Sequence, residues 1–297
     1  MFMQTVPTEI QCQVSTQDPC HILENHFKQF YKVLVDNQYI PDAAYDVIKG
    51  NFQRCLSGLP ISYNNALFGC PETDWDACIE EQLKYFEKAQ LPFVWYLDEG
   101  ANPKFKQKLL DRSFHDEGVF RGVIGILDKE QLNAEIPESC EIELVRDEET
   151  LKKFNEILCS TFGIDRVGKD AYDQFLWTAS KNAKNPLYHW VAKMDGKVVS
   201  TLTTFIDKDV VSFWNGATST DYRCQGISTA LRLFALKDAF SKGCRIGTSY
   251  LMSEGLAFGI CKRLGYQTMW RFNVFVAPGG KKVSDPKMEA LLSGMIL

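Results

Sequence analysis

The chain has 297 residues, long for one average domain and suited to two. Hydrophobic residues are 45% and charged residues 24%, with a net charge of -5, so the chain can bury a real core and lacks the basic balance of a nucleic-acid binder. The 10 cysteines form no CxxC pair, and with only 4 histidines they offer poor material for a metal site. Most of them are expected to be reduced, small core residues. The opening "MFMQTVPTEIQ" has no basic region and no apolar core, so no secretory signal is expected. No apolar run approaches the ~20 residues that a membrane span needs. The simplest expectation is a cytoplasmic protein.

Residues 1 to 20 are polar and read as a loose arm. "ILENHFKQFYKVLVDN" places Ile22, His26, Phe27, Phe30, Val33 and Leu34 at helical spacing. "PDAAYDVIKGNFQRCLS", residues 41–57, reads as a second helix entered at Pro41. "LPISYNNALFG", 59–69, reads as strand, "DWDACIEEQLKYFEKAQ" as an amphipathic helix, "LPFVWYLDE" as a buried strand, "PKFKQKLLDRSF" as a short helix and "GVFRGVIGILD" as a strand. A domain boundary is expected near 133–141, where Pro137 sits in a polar gap. That leaves one domain over 21–135 and another over 140–297.

The second half restarts with a strand and helix in "CEIELVRDEETLKKFNEILCSTFG" and a further helix in "AYDQFLWTASKNA". "YHWVAKMDGKVVSTLTTFID" predicts a hairpin turning at Asp195-Gly196, a type I′ signal. Then come a strand in "DVVSFWNGATST", a turn and helix ending near Gly243, a strand in "RIGTSYLMS", a helix stopped by Gly265, and a last strand in "YQTMWRFNVFVAP". The order "YNNALFG", helix, "LPFVWYL", helix, strand of the first half parallels "SFWNGAT", helix, "RIGTSYL", helix, strand of the second, with Phe114 in the place of Tyr266. This reads as an internal duplication of about 100 residues.

The turn "RCQGIS", 223–228, opens a helix directly after a strand. A helix N-terminus presents unpaired backbone N–H groups and the positive end of the dipole, so it suits an anion. Gly226 permits close approach, Ser228 and Thr229 add hydroxyl donors, and Arg223 adds charge and can brace the turn. The same six residues also fit a plain helix start with an incidental glycine. The chain has neither a P-loop nor a dinucleotide-binding GxGxxG.

With "KRLGY" downstream and the element order around it, this stretch resembles the GCN5-related N-acetyltransferase (GNAT) family, over residues 141 to 277. The resemblance implies an α/β fold with a central mixed sheet flanked by helices in each half, and acetyl-CoA as cofactor. It implies a pyrophosphate held at Cys224, Gln225, Gly226, Ile227, Ser228 and Thr229, with Arg223 beside them. Ala217, Thr218, Ser219 and Thr220 would pair with the pantetheine arm as an added strand, and Ser253 would lie on the cofactor side. The first half lacks this cradle. "CPETDWDACIEE" has no glycine at the turn, and Glu72, Asp74 and Asp76 put like charge where phosphates would sit. It is expected to be a degenerate, non-binding GNAT-like domain.

Acyl transfer to an amine needs a base for the amine and an acid for the leaving thiolate. Cys261 stands where many family members carry a tyrosine; it is either a proton donor or an inert core thiol. Tyr250 and Ser253 are alternative donors. Glu254, at the start of the following helix, is either the base or a first-turn acid that suits the helix dipole, with Asp221 a weaker candidate. Trp214 either lines the acceptor cleft or packs in the core. The segment 162–175 corresponds to the family's variable acceptor loop, where Asp165, Asp170 and Asp173 either attract a cationic amine or form a solvated face. The expected function is direct acetyl transfer from acetyl-CoA to a primary amine. The alternatives are an inactive module of the same fold that binds CoA or a partner, and a nucleotide-binding α/β protein of another kind.

Overall fold

A computed structural model describes residues 18–37, 39–132, 135–252 and 256–280. In chain order the first elements are α1 (Pro19–Asp36), β1 (Ala44–Lys49), β2 (Phe52–Leu56), β3 (Ala66–Phe68), α2 (Trp75–Ala89), β4 (Val94–Asp98), α3 (Pro103–Asp111) and β5 (His115–Ile126). Next come β6 (Cys140–Leu144), α4 (Glu148–Phe162), α5 (Arg166–Ser180), β7 (Leu187–Met194), β8 (Lys197–Asp207) and β9 (Val210–Thr218). The last are α6 (Ile227–Ser241), β10 (Ile246–Met252), α7 (Leu256–Arg263) and β11 (Gln267–Val276). Of the expected loose arm, residues 1–17 lie outside the described residues, and α1 begins at Pro19.

The chain divides into two compact units. One takes Met1–Gln29, Arg121–Val145 and Pro186–Trp270; the other takes Phe30–Phe120, Arg146–Asn185 and Arg271–Leu297. In the first unit the strand order is β11-β5-β10-β9-β8-β7-β6, mixed because β10 runs parallel to β9 while β7 and β8 are antiparallel. The β7–β8 turn has Asp195 at φ 49° and Gly196 at φ 78°, the two positive angles that a type I′ turn requires. Helix α6 covers this sheet with Ile227, Leu231, Ala235, Leu236 and Ala239, which pack with Val199, Leu202, Val211 and Phe213. α6 is apolar around most of its circumference, as suits a helix buried on several sides.

In the second unit the order is β1-β2-β3-β4-β11, with β3 parallel to β4. Its core holds Phe52, Phe86, Phe93, Trp95, Phe105 and Phe275, and the rings of Phe86 and Phe93 stack at 4.1 Å. Local chemistry sets the helix starts. Asn102 caps α3 with Pro103 at its first position, Asp147 accepts from the Thr150 N–H at 2.8 Å, and Asp165 accepts from the Gly168 N–H at 2.8 Å.

Three expectations are corrected. Residues 41–57 form the β1–β2 hairpin rather than a helix. Gly50, at φ 55°, turns the chain so that Lys49 faces Phe52, and across the strands Arg54 holds Asp46 at 2.7 Å. A two-residue turn and the cross-strand pairs outweigh the weak helical spacing. Within 59–69 only Ala66–Phe68 is strand, because Ser62–Asn64 forms a single 3-10 turn that the buried Asn65 amide braces through the Leu59 and Pro92 carbonyls. Most of 162–175 is helix α5 rather than loop, started by the Asp165 cap.

Candidate functional site

The central feature of the first unit is a parting of two strands. β10 pairs with β9 from Ile246↔Val210 to Ser249↔Phe213 and no further, although β9 runs on to Thr218 and β10 to Met252. The cause lies in β9. Thr203 faces Trp214 on β8–β9 while Thr201 faces Ala217, so β9 carries one extra residue in this interval. Asn215 takes it up at φ 55°, a left-handed geometry that asparagine tolerates better than most residues. The Thr201 hydroxyl donates to the Asn215 carbonyl at 2.9 Å, and the Asn215 amide donates to the Thr203 hydroxyl at 3.1 Å, which pins the bulge. Beyond it β9 keeps its bonds to β8, through Ala217, Thr218 and the Ser219 N–H, and from Gly216 on no described strand pairs with its other edge.

The open edge leads to the start of α6. The Arg223 side chain donates to the Thr218 carbonyl at 3.0 Å, and the Gln225 amide donates to the Asp221 carbonyl at 3.0 Å, so both hold the turn together. Cys224 (φ 59°) and Gly226 (φ 79°) are both left-handed. Among the described residues no acceptor takes the backbone N–H groups from Cys224 to Thr229. No side chain caps α6 and no acid lies in its first turn, so the positive end of the helix stays unanswered. A Cβ at Gly226 would come no closer than 3.9 Å to Pro137, so the space above it is open.

The two faces of the parted strands differ. One is aromatic: the rings of Trp214 and Tyr250 lie 5.4 Å apart, and Phe27 packs on Tyr250 at 4.6 Å. Trp214 Nε1 donates to Ser212 Oγ at 2.7 Å, and Ser212 Oγ lies 3.0 Å from His26 Nε2. The Tyr250 hydroxyl donates to the Leu23 carbonyl at 2.8 Å, and burial pushes its pKa up, so it holds its proton firmly. The other face is polar. It carries Ser249, the buried Cys261 thiol within hydrogen-bond reach of that hydroxyl, the Tyr266 hydroxyl over Gly247, and Arg232 from α6. Burial raises the Cys261 thiol, an effect that the Arg232 guanidinium only partly offsets.

Of the residues singled out in the sequence, Ala217, Thr218, Ser219, Thr220, Arg223, Cys224, Gln225, Gly226, Ile227, Ser228 and Thr229 are gathered at one end of the parting. Cys261 and Tyr250 are not together: Cys261 meets Ser249, and adjacent residues of a strand point to opposite faces. Ser253 and Glu254 lie outside the described residues. In the second unit, Asp173 is held by Lys169 at 2.8 Å and Asp165 by its capping bond, so both have partners already. Among the described residues no group of three or more His, Cys, Asp or Glu side chains is placed to hold a metal, and no helix is long and apolar enough to cross a membrane.

Sequence reading missed Arg232 and His26. Arg232 had a signal: a single cation in the otherwise apolar run "ALRLFAL" of a buried helix. His26 had only its place on the helical stripe.

Residues 151–253 match the model of the acetyltransferase (GNAT) family. No curated protein matches the sequence. Among solved structures, a GCN5-related N-acetyltransferase from Kribbella flavida is similar at TM-score 0.64 and 17% identity, covering 89% of this chain and 98% of its own. A tandem GNAT protein from the clavulanic acid biosynthesis pathway is similar at TM-score 0.56 and 11% identity, covering 87% and 96%. At these identities the likeness is one of fold, a mixed sheet flanked by helices.

Proposed function

From the premise that the stretch 151–253 is a domain of the acetyltransferase (GNAT) family, we propose that the chain transfers an acetyl group from acetyl-CoA to a primary amine by direct attack. The observation that carries this reading is the parting of β9 from β10, with its open edge running into the unanswered N–H groups of Cys224 to Thr229. Those amides and the positive end of α6 suit a pyrophosphate. The edge from Gly216 to Thr218 suits an extended arm laid alongside it as a further strand. An N–H of that edge would polarise the thioester carbonyl as the amine attacks it. The amine nitrogen then bonds to the carbonyl carbon, the carbon–sulfur bond breaks, and the amine's proton ends on the sulfur. For the acid in that transfer, Cys261 is held protonated by burial and lies beside Ser249, whereas the Tyr250 hydroxyl is already committed to the Leu23 carbonyl.

Thermal unfolding with acetyl-CoA and with CoA checks the binding step. Ligand at 100 times its Kd adds about 2.7 kcal/mol to the folded state. An amine panel read by free-thiol release checks the chemistry. Thiol release that depends on an amine is expected. Stabilisation by CoA with no release on any amine would mark a binding module instead, and no stabilisation at all would overturn the reading.

A further inference from the structure

Arg232 is 6% exposed, and no described residue accepts a hydrogen bond from its Nε or Nη1. A buried guanidinium with two of its three nitrogens unmatched is costly, and proteins keep one where something else supplies the charge or the acceptors. Its surroundings in the first unit are the Phe213 ring, 4.8 Å from the guanidinium carbon, and Gly216, where a Cβ would stand 3.5 Å from Nη2. Phe213 is the last residue of β9 that pairs with β10, and Gly216 is exposed on the open edge beyond it. The guanidinium therefore sits where the strands part, on the face that also carries Ser249 and Cys261. Among the described residues, Cys261 from α7 and Tyr266 from the entry to β11 are ionisable groups that feel its charge. Burial holds both neutral, so neither answers the charge, and the Tyr266 hydroxyl meets no partner among the described residues.

We infer that Arg232 is the cationic end wall of this cleft and receives the negative charge that develops on the CoA sulfur as the acyl group leaves. The inference rests on the acyltransferase reading and adds a residue to it. Arg232 lies on the helix whose N-terminus would hold the pyrophosphate, hence on the donor's side of the cleft. The groups beside it, a thiol and a hydroxyl, stay protonated and uncharged, so the guanidinium is the charge that meets a departing thiolate. When the carbon–sulfur bond breaks, the electron pair passes to sulfur. The guanidinium balances that charge until the sulfur takes up a proton. A fixed cation aimed at charge that appears only during reaction stabilises the transition state more than the ground state.

The test needs no acceptor amine. The affinities of the full-length protein for CoA and for desulfo-CoA are measured by calorimetry across the titration range of the thiol. An opposite charge at close range lowers a pKa by about one to three units. CoA is therefore expected to gain about tenfold or more over desulfo-CoA as pH rises, and the thiolate absorbance of bound CoA should titrate correspondingly lower. Arg232→Met should remove both effects while leaving desulfo-CoA affinity within about twofold, and Arg232→Lys should keep part of each. Should the Met variant fail to fold, the comparison on the unaltered protein and on Arg232→Lys still decides. Equal affinities for CoA and desulfo-CoA at every pH would overturn the inference and leave donor binding standing. Binding of neither would overturn donor binding itself. Much tighter binding of malonyl-CoA or succinyl-CoA than of acetyl-CoA, lost in Arg232→Met, would overturn it too, by assigning the guanidinium to an acyl carboxylate.

Discussion

His26 shows what burial does to one titratable group. Its ring stacks on Phe205 at 4.6 Å, with Nε2 3.0 Å from Ser212 Oγ, and burial lowers its pKa to about 3. The unfolded chain takes a proton near pH 6.5, which the folded site refuses. Stability is therefore full above that pH and declines as pH falls toward 3, by about 1.4 kcal/mol per unit from this group alone. His189, lowered to about 4 by burial, acts in the same direction. Denaturant melts from pH 7.5 to 4 should show the loss, and His26→Gln should shrink the slope by about half; an unchanged slope would show that His26 is not its source. Single residues are also where the sequence was least readable. Arg232 and His26 were visible as letters, but their worth depends on burial and on neighbours such as Phe213 and Ser212, far away in the chain.

At the scale of elements, the start of α6 is the sharpest case. Gly226 has φ 79° and open space above it, so Gly226→Asp fits sterically at a backbone cost of about 1–3 kcal/mol. The new carboxylate would stand among the free amides and repel an incoming phosphate. A loss of CoA affinity of about 100-fold or more is expected, with the fold kept; calorimetry and circular dichroism check the pair, and retained affinity would remove the phosphate from this turn. This turn was legible in advance because its cues are local: one glycine, a preceding strand, a following helix. The Asp195-Gly196 hairpin was legible for the same reason. The 41–57 hairpin was not, because its Gly50-Asn51 turn lies within apolar residues that fit helical spacing as well as alternation. The parting of β9 from β10 was hidden too, since a bulge is a matter of register against β8 and leaves little trace in a single strand.

For the molecule as a whole, the two units invite comparison. In the second, β3 stays paired with β4 to its end, and the Gly69 N–H continues the ladder to the Tyr96 carbonyl at 3.0 Å. Trp95 Nε1 closes on the Gly69 carbonyl at 2.8 Å. At the start of α2, Asp76 already holds Lys108 and Arg112. Among these described residues β3 leaves no open edge to β4, and α2, uncapped like α6, differs from it in carrying an acid, Asp76, in its first turn. One CoA per chain is therefore expected by titration, and Glu72→Gln should leave its affinity unaltered; two equivalents would show that the second unit binds as well. The place of β5 has a consequence for biosynthesis. It lies between β10 and β11, and just past its end the Leu127 N–H bonds to the Arg245 carbonyl. On the ribosome β5 emerges long before either neighbour exists. Its apolar edge must wait for more than a hundred further residues, at roughly 5–20 residues per second. That interval is one in which an unpaired strand is open to wrong partners, so expression rate and chaperone supply, more than final stability, should govern how much of this chain reaches its native form.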